Sequence, residues 1–289
     1  MIKISETSFL NLILANRNTF SMLIFDIDGT LSIEGIPIPG AANVIRSLNK
    51  ACFPYILLTN DAIRSTKEKS ILLQNSGFDV DEENIISCGT AIKTFVKSHN
   101  LFSKKLFIMG KFGVPDYAVS TGCIVERDIS HISECNAILI GELDYDWETT
   151  INAVFNFFIA KPDAPFVVAN PDSFWPIGEK VHIGAGGVAR FISAILNDYG
   201  IRVEPIYLGK PYSPIYEHLL THIKQKHPQI DISDRRKILA IGDSMTSDIK
   251  GAKNMQFSSA LVLSGVTKQA FLKQIPHESL PDFIFYSVG

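Results

Sequence analysis

Two carboxylates one residue apart close an apolar run near the start of the chain, in Met22-Leu23-Ile24-Phe25-Asp26-Ile27-Asp28-Gly29-Thr30. Met22 to Phe25 reads as a buried strand and Gly29-Thr30 as the turn that leaves it. Asp26 and Asp28 are therefore expected at the carboxyl end of a strand, where open α/β sheets place their ligands. Acids this close repel one another and lose hydration, so they require a compensating cation or a shared proton. Magnesium, a hard ion that prefers oxygen ligands and keeps several waters, meets that requirement. Taken alone, D-x-D-G is also an ordinary acidic turn, and the residues downstream are what separate the two readings.

Those residues sit on an alternation of strand and helix. Ala41, Val44, Ile45 and Leu48 fall at i, i+3, i+4 and i+7, which predicts a helix with one buried face. Tyr55 to Leu58 reads as the next strand and runs into Thr59-Asn60-Asp61; a helix over about 64–75 stops at Gly77. Further strands are expected at 106–109, 137–140 and 166–169, with helices near 90–98, 147–160 and 188–198. Pro205-Ile206-Tyr207-Leu208 leads to Gly209-Lys210, a helix over 214–226 follows, and the strand 237–241 ends in Gly242-Asp243-Ser244-Met245-Thr246-Ser247-Asp248. A helix to Asn254 and strands near 260–263 and 282–285 complete the chain. Neither a repeat nor a low-complexity tract is present.

Four polar groups follow apolar strands in this pattern: Asp26 with Asp28, Thr59 with Asn60, Lys210, and Asp243 with Asp248. In one parallel sheet all four would converge on one edge. Together they form a phosphoryl-transfer set. One aspartate can attack phosphorus and carry an aspartyl-phosphate. An acid two residues on can protonate the leaving oxygen and then deprotonate water. Thr59, loop N–H groups and Lys210 can hold the phosphoryl oxygens, and Asp243 extends the oxygen-ligand set for magnesium.

Composition reads as that of a soluble, globular protein. The chain has 289 residues, 20% charged and 46% hydrophobic, with a formal net charge of −3. It offers no basic field for nucleic acid. The cysteines Cys52, Cys88, Cys123 and Cys135 are widely spaced with no C-x-x-C pair and read as reduced thiols of a cytoplasmic protein. The apolar stretch Phe9 to Leu14 after Lys3 is interrupted at its charged side by Ser5, Glu6, Thr7 and Ser8. Asn16-Arg17-Asn18 stands where a signal peptide has small residues, so an export signal is not expected. No window reaches the length of a membrane span. Oligomeric state is not legible.

The motifs F-D-I-D-G-T, L-T-N-D, G-K-P and I-G-D-S-M-T-S-D, in this order, resemble those of the haloacid dehalogenase superfamily of phosphohydrolases. The resemblance covers nearly the whole chain. Pro39-Gly40-Ala41, Arg64-Ser65, Asn170-Pro171-Asp172, Gly184-Ala185-Gly186 and Gly209-Lys210-Pro211 look like the subfamily IIA branch of NagD-like proteins and p-nitrophenyl phosphatases. That branch often has T-N-N where this chain has Thr59-Asn60-Asp61. The resemblance implies a doubly wound, Rossmann-like parallel-sheet α/β core over 1–83 and 206–289. An inserted α/β cap over 84–205 would govern specificity, with hinges near 80–84 and 200–205. It also implies roles. Asp26 is nucleophile and magnesium ligand, and Asp28 is acid/base and lends the ion its backbone carbonyl. Thr59 and Asn60 hold the phosphoryl group, Lys210 stabilises it, Asp243 ligates the metal and Asp248 supports it from behind. Asp172 is expected to influence substrate preference. The expected activity is a magnesium-dependent phosphatase of small phosphorylated metabolites, a sugar phosphate or similar ester. A phosphomutase or phosphotransferase, or a module that keeps the phosphoryl group on its aspartate, are the alternatives.

Three other patterns invite functional readings. Gly184, Gly186 and Ala189 mimic a dinucleotide fingerprint, but Glu204 precedes its strand instead of ending it, so the glycines are expected to form a hinge returning the chain from cap to core. His218 and His222 are four apart on a helix yet lack the glutamate of the metalloprotease motif, and are expected at the surface. Phe174 and Trp175 fit either a core or a substrate wall.

Overall fold

The computed structural model describes residues 4–5, 8–15 and 19–289. Lys3, Glu6, Thr7 and Asn16-Arg17-Asn18, named above, lie outside them. In chain order the strands are β1 (Met22–Phe25), β2 (Ser32–Ile33), β3 (Ile36–Pro37), β4 (Tyr55–Thr59), β5 (Ile85–Ser87), β6 (Lys105–Met109), β7 (Ile124–Glu126), β8 (Ala137–Ile140), β9 (Phe166–Val168), β10 (Phe174–Ile177), β11 (Lys180–Ile183), β12 (Ile206–Tyr207), β13 (Ile238–Gly242), β14 (Ser258–Val262) and β15 (Phe283–Phe285). The α-helices are α1 (Phe9–Ala15), α2 (Ala41–Lys50), α3 (Thr66–Asn75), α4 (Ala91–Ser98), α5 (Asn152–Ala160), α6 (Ala185–Asp198), α7 (Ser213–Lys226), α8 (Lys250–Asn254) and α9 (Gln269–Leu272).

The chain divides into two compact units, one of residues 1–59, 69–86 and 219–289, the other of 60–68 and 87–218. Segments 60–68 and 206–218, expected with the first domain, group with the second unit.

The first unit is built on a six-stranded sheet in the order β15-β14-β13-β1-β4-β5. Strands β1, β4, β13, β14 and β15 pair in parallel. Such strands are covered on both faces and read as unbroken apolar runs, as in the fully buried Met22–Phe25 and Ile238–Gly242. Helix α2 buries Ala41, Val44, Ile45 and Leu48, the stripe its spacing predicts. Phe9 of α1 meets Phe25 and Phe285 edge-on at 5.7 and 5.5 Å. From β1 the chain moves to β4 on one side, and it returns much later to β13 on the other. The carboxyl ends of β1 and β13 are therefore a topological switch point, where connections diverge and leave a crevice.

The second unit has its own parallel five-stranded sheet, β12-β9-β8-β6-β7. Its core packs Phe107, Ile138, Ile140, Phe157, Phe158 and Phe166 against the α6 face Ala185, Val188, Ala189, Ile192 and Leu196. This sheet has a switch point too, between β6 and β8.

Three expectations change and one open alternative narrows. The strand before Lys210 was expected in the same sheet as those before Asp26, Thr59 and Asp243. Instead, β12 pairs with β9 of the second sheet, Ile206 opposite Val167. An isolated two-residue apolar strand carries no mark of which sheet edge accepts it. The glycines near 184–186 are not a hinge: Gly184 caps α6, and Gly186 sits so close to the Pro171 carbonyl that a Cβ would overlap it. The segment after Val80 supplies β5, an unforeseen edge strand of the first sheet. Phe174 is exposed on the antiparallel ribbon β10–β11, with Trp175 stacked on His182 at 4.8 Å, so Phe174 is not a core residue.

Phe158 is fully buried and packs on Phe157 and Phe166 at 5.2 and 4.9 Å. Phe158→Ala is expected to cost about 3–5 kcal/mol of stability, measured as a lowered urea midpoint; a midpoint within error of wild type would contradict this packing.

Candidate active site

In the first unit, the switch point gathers three carboxylates. Asp26 directly follows β1, and its N–H donates to the Ile241 carbonyl at 2.8 Å, continuing the β1–β13 ladder. Asp243 directly follows β13. Asp248 lies on the π-helical turn Met245–Ile249, whose N-terminus is capped by the Ser244 hydroxyl accepting from the Ser247 N–H at 3.2 Å. Carboxylate oxygens of Asp26, Asp243 and Asp248 all lie within 4.8 Å of one another, and all three residues are buried.

The surrounding loops hold these groups at close range. Thr30 Oγ1 donates to Asp26 Oδ2 at 3.4 Å, and the Ser244 N–H donates to Asp248 Oδ2 at 3.0 Å. Asp243 Oδ2 accepts from the Val266 N–H, and its carbonyl accepts from the Thr267 N–H at 3.1 Å. Gly29 has φ +84°, and a Cβ there would run into the Asp243 carboxylate. Glycine is thus required twice over, by conformation and by space. Asp28 is exposed beyond the buried Asp26. Thr59 is the buried last residue of β4, the strand beside β1.

Three buried acids this close cannot all stay ionised without a counter-charge. An all-oxygen donor set of this size suits magnesium, which keeps several waters among its ligands. Asp26, Asp243 and Asp248 are thus the side chains that could hold it.

The second unit brings together Asn60, Lys210 and Asp172. Asn60 Oδ1 accepts from the Lys210 N–H at 2.8 Å, while Asn60 Nδ2 donates to the Lys210 carbonyl at 3.0 Å and to Asp172 Oδ2 at 3.2 Å. One carboxamide therefore clamps both backbone polar groups of the lysine. Gly209 permits this, since a Cβ there would press on Asn60 Oδ1. Lys210 is only 3% exposed. Asp61 closes a local turn by accepting from the Ile63 N–H at 2.7 Å and stands 3.6 Å from Arg64.

Sequence reasoning missed Glu142. It lies just past β8, is 5% exposed, and accepts from Asn170 Nδ2 at 2.7 Å and from the Ala185 N–H that opens α6. Burial, and after it the nearby Asp61 charge, push its carboxyl up to about 7. The rule applied to the other strands, a polar residue directly after an apolar run, would have found it in Ile138-Leu139-Ile140-Gly141-Glu142. His218 is half-buried, with Nδ1 3.2 Å from Thr94 Oγ1, which gives it a structural partner.

The architecture and the acid cluster define a class, and comparison with known proteins agrees. A haloacid dehalogenase-like hydrolase model matches residues 23–123, and a second HAD-hydrolase-like model matches residues 207–289. The chain is 28% identical to dihydroxyacetone phosphatase of Corynebacterium glutamicum over 254 residues, covering 87% of this chain and 84% of that one. It is 24% identical to the ribonucleotide monophosphatase NagD of Escherichia coli, over 94% of this chain and 98% of that one. A solved structure described as a possible sugar phosphatase from Cytophaga hutchinsonii superposes with a TM-score of 0.82 at 27% identity, covering 99% of both chains. The chain belongs to the haloacid dehalogenase-like hydrolases. Within them it falls in the NagD-like and p-nitrophenyl phosphatase-like branch. Among the described residues no helix is long and apolar enough to cross a membrane.

If Asp26, Asp243 and Asp248 form a cation site, Asp243→Asn relieves like-charge repulsion in metal-free protein. It should raise stability in EDTA by about 1–3 kcal/mol and remove the upward shift in melting temperature that magnesium gives the wild type. Equal magnesium-induced shifts in both proteins would refute the assignment.

Proposed function

We propose that this chain, a phosphoric monoester hydrolase by its family, is a magnesium-dependent phosphatase of small phosphorylated metabolites that works through an aspartyl-phosphate. The observation that carries this reading is the cluster of Asp26, Asp243 and Asp248 at the β1–β13 switch point. Relatives named dihydroxyacetone phosphatase and acid sugar phosphatase favour a sugar phosphate or similar small ester as substrate. A cytoplasmic setting, without nucleic-acid or membrane partners, belongs to the same reading.

In this mechanism a carboxylate oxygen of Asp26 attacks phosphorus as the bond to the ester oxygen breaks. Asp28 delivers a proton to the departing alkoxide, then takes one from the water that attacks the aspartyl-phosphate, which releases inorganic phosphate and restores Asp26. Thr59, Asn60 and Lys210 receive the phosphoryl oxygens, with Lys210 supplying a fixed positive charge. Asp243 and Asp248 complete the cation site with Asp26, and magnesium, when bound, offsets the negative charge that nucleophile and phosphate bring together. The exposure of Asp28 suits a proton carrier that must meet both leaving group and water. Asp172, hydrogen-bonded to Asn60, and the remainder of the second unit would set substrate preference.

Purified protein with magnesium should release nitrophenolate from p-nitrophenyl phosphate and stop when EDTA is added; full turnover after exhaustive chelation would refute the metal dependence. Asp26→Asn should lower kcat by about three orders of magnitude or more, since an amide is no nucleophile.

Asp28→Asn separates the two proton transfers. Turnover of an alkyl phosphate, whose leaving group needs a proton, should fall by about 10²–10⁴. The burst of nitrophenolate from the activated ester should fall far less, leaving phosphorylated protein to accumulate. Equal loss in both measurements would remove Asp28 from the acid role, and wild-type protein that accumulates phosphate without turnover would point to a phosphoryl-accepting module.

A further inference from the structure

Glu142 stands at the second sheet's own switch point. Strand β6 is flanked by β7 on one side and β8 on the other, and past their carboxyl ends the Lys111 N–H donates to the Glu142 carbonyl at 2.8 Å. From its carboxyl a continuous series of hydrogen bonds runs through buried or half-buried groups. Glu142 Oε1 accepts from Asn170 Nδ2 at 2.7 Å; Asn170 Oδ1 accepts from the Asp172 N–H at 2.9 Å; Asp172 Oδ2 accepts from Asn60 Nδ2 at 3.2 Å. Asn60 then clamps Lys210 through its N–H at 2.8 Å and its carbonyl at 3.0 Å. A carboxyl with no part in the chemistry described above is thus wired to Asn60 and Lys210, two of the three residues assigned to the phosphoryl group.

We propose that Glu142 is a positioning residue for Asn60 and Lys210, holding them through Asn170 and Asp172, and that its ionisation weakens the hold of this pair on a phosphomonoester. The inference rests on the phosphatase reading for the identity of the ligand. Its physical basis is local. When Glu142 is neutral, Asn170 and the start of α6 still donate to it and the relay carries one negative charge, on Asp172. When Glu142 ionises, a second negative charge enters a region of low dielectric, where it opposes Asp172 and lowers the potential at Lys210. A phosphate dianion then meets a less positive pocket.

Charged and titratable groups face Glu142 from several elements. Asp61, on the segment after β4, and Asp172, after β9, both push its carboxyl up. Asp61 is partly offset by Arg64 at 3.6 Å. Tyr145, on Glu142's own loop, is raised to about 12, chiefly by burial and further by the Glu142 charge. Lys111, after β6, is paired with Asp144 at 2.9 Å. Arg190 of α6 is engaged by the Pro171 carbonyl and the Ser173 hydroxyl. With burial dominant and two acids adding to it, the carboxyl titrates near pH 7, within the working range of an enzyme.

The test compares KM and kcat of wild type, Glu142→Gln and Asp61→Asn on one small phosphomonoester from about pH 5.5 to 8.5, with inorganic phosphate binding measured calorimetrically at the same pH values. Glutamine keeps an oxygen for Asn170 and Ala185 but never ionises. Relative to Glu142→Gln, wild-type KM should rise about fivefold through pH 7, with kcat moving less than KM, and phosphate affinity should fall in parallel. The second ionisation of the ester, near about pH 6, acts on both proteins alike and cancels in the ratio. Asp61→Asn removes one of the charges that raise the Glu142 carboxyl, so its KM rise should begin at lower pH; an unmoved inflection overturns the inference even if Glu142→Gln fails to fold. Parallel wild-type and Glu142→Gln profiles in an active enzyme overturn the inference alone. Wild-type protein that neither turns over nor binds phosphate overturns the proposed function and this inference with it.

Discussion

The parallel pairing of β1 with β13 is the constraint on which the first unit's chemistry depends. Two strands far apart in sequence lie side by side in register, Phe25 opposite Ile241, so the residues just past them, Asp26 and Asp243, must emerge together. No flexible loop could keep like charges this close; the ladder does so because burial of the strands, at about 25 cal/mol per Å² of apolar surface, outweighs local repulsion. The features around the cluster follow from that demand. Gly29 and Gly265 are places where a side chain would overlap the Asp243 carboxylate, and the Val266 N–H is spent on that same carboxylate.

In the second unit the buried Lys210 is fixed through its backbone: Asn60 grips both its donor and its acceptor. The carboxamides Asn60 and Asn170 alternate with the acids Asp172 and Glu142 along this relay.

Much of this was legible in the sequence, for identifiable reasons. Asp26, Thr59 and Asp243 each follow an apolar run long enough to be a buried parallel strand, and the helix α2 stripe has an unambiguous period. Motifs singled out Asn60, Lys210 and Asp172, and hydrogen bonds join the three in the structure. What was not legible depends on partners remote in sequence. Strand β12 is two residues long, and only its pairing with β9 shows that Lys210 belongs with the second sheet. Strands β5 and β7 are three residues each, at sheet edges, too short to display a period. The glycines before α6 matched a nucleotide-binding pattern, but the close approach they permit is to the protein's own Pro171 and Asp172 carbonyls. Glu142 stands where the strand-end rule applies, but the rise of its carboxyl comes from burial and from Asp61, 81 positions earlier in the chain, which the sequence does not display.

The ribbon β10–β11 connects Asp172 to the start of α6 and contributes little to any core. Every residue of β11 is exposed, as are Phe174 and Ile177 of β10. Substitutions at such positions typically change stability by no more than about 0.5 kcal/mol. The ribbon therefore constitutes a region of low mutational cost, joined at one end to a residue that contacts Asn60 and at the other to the helix whose first N–H meets Glu142. Under the proposed role of the second unit in substrate preference, changes of length or side-chain character in this ribbon would alter recognition while the Asn60–Lys210 clamp and both sheets keep their form.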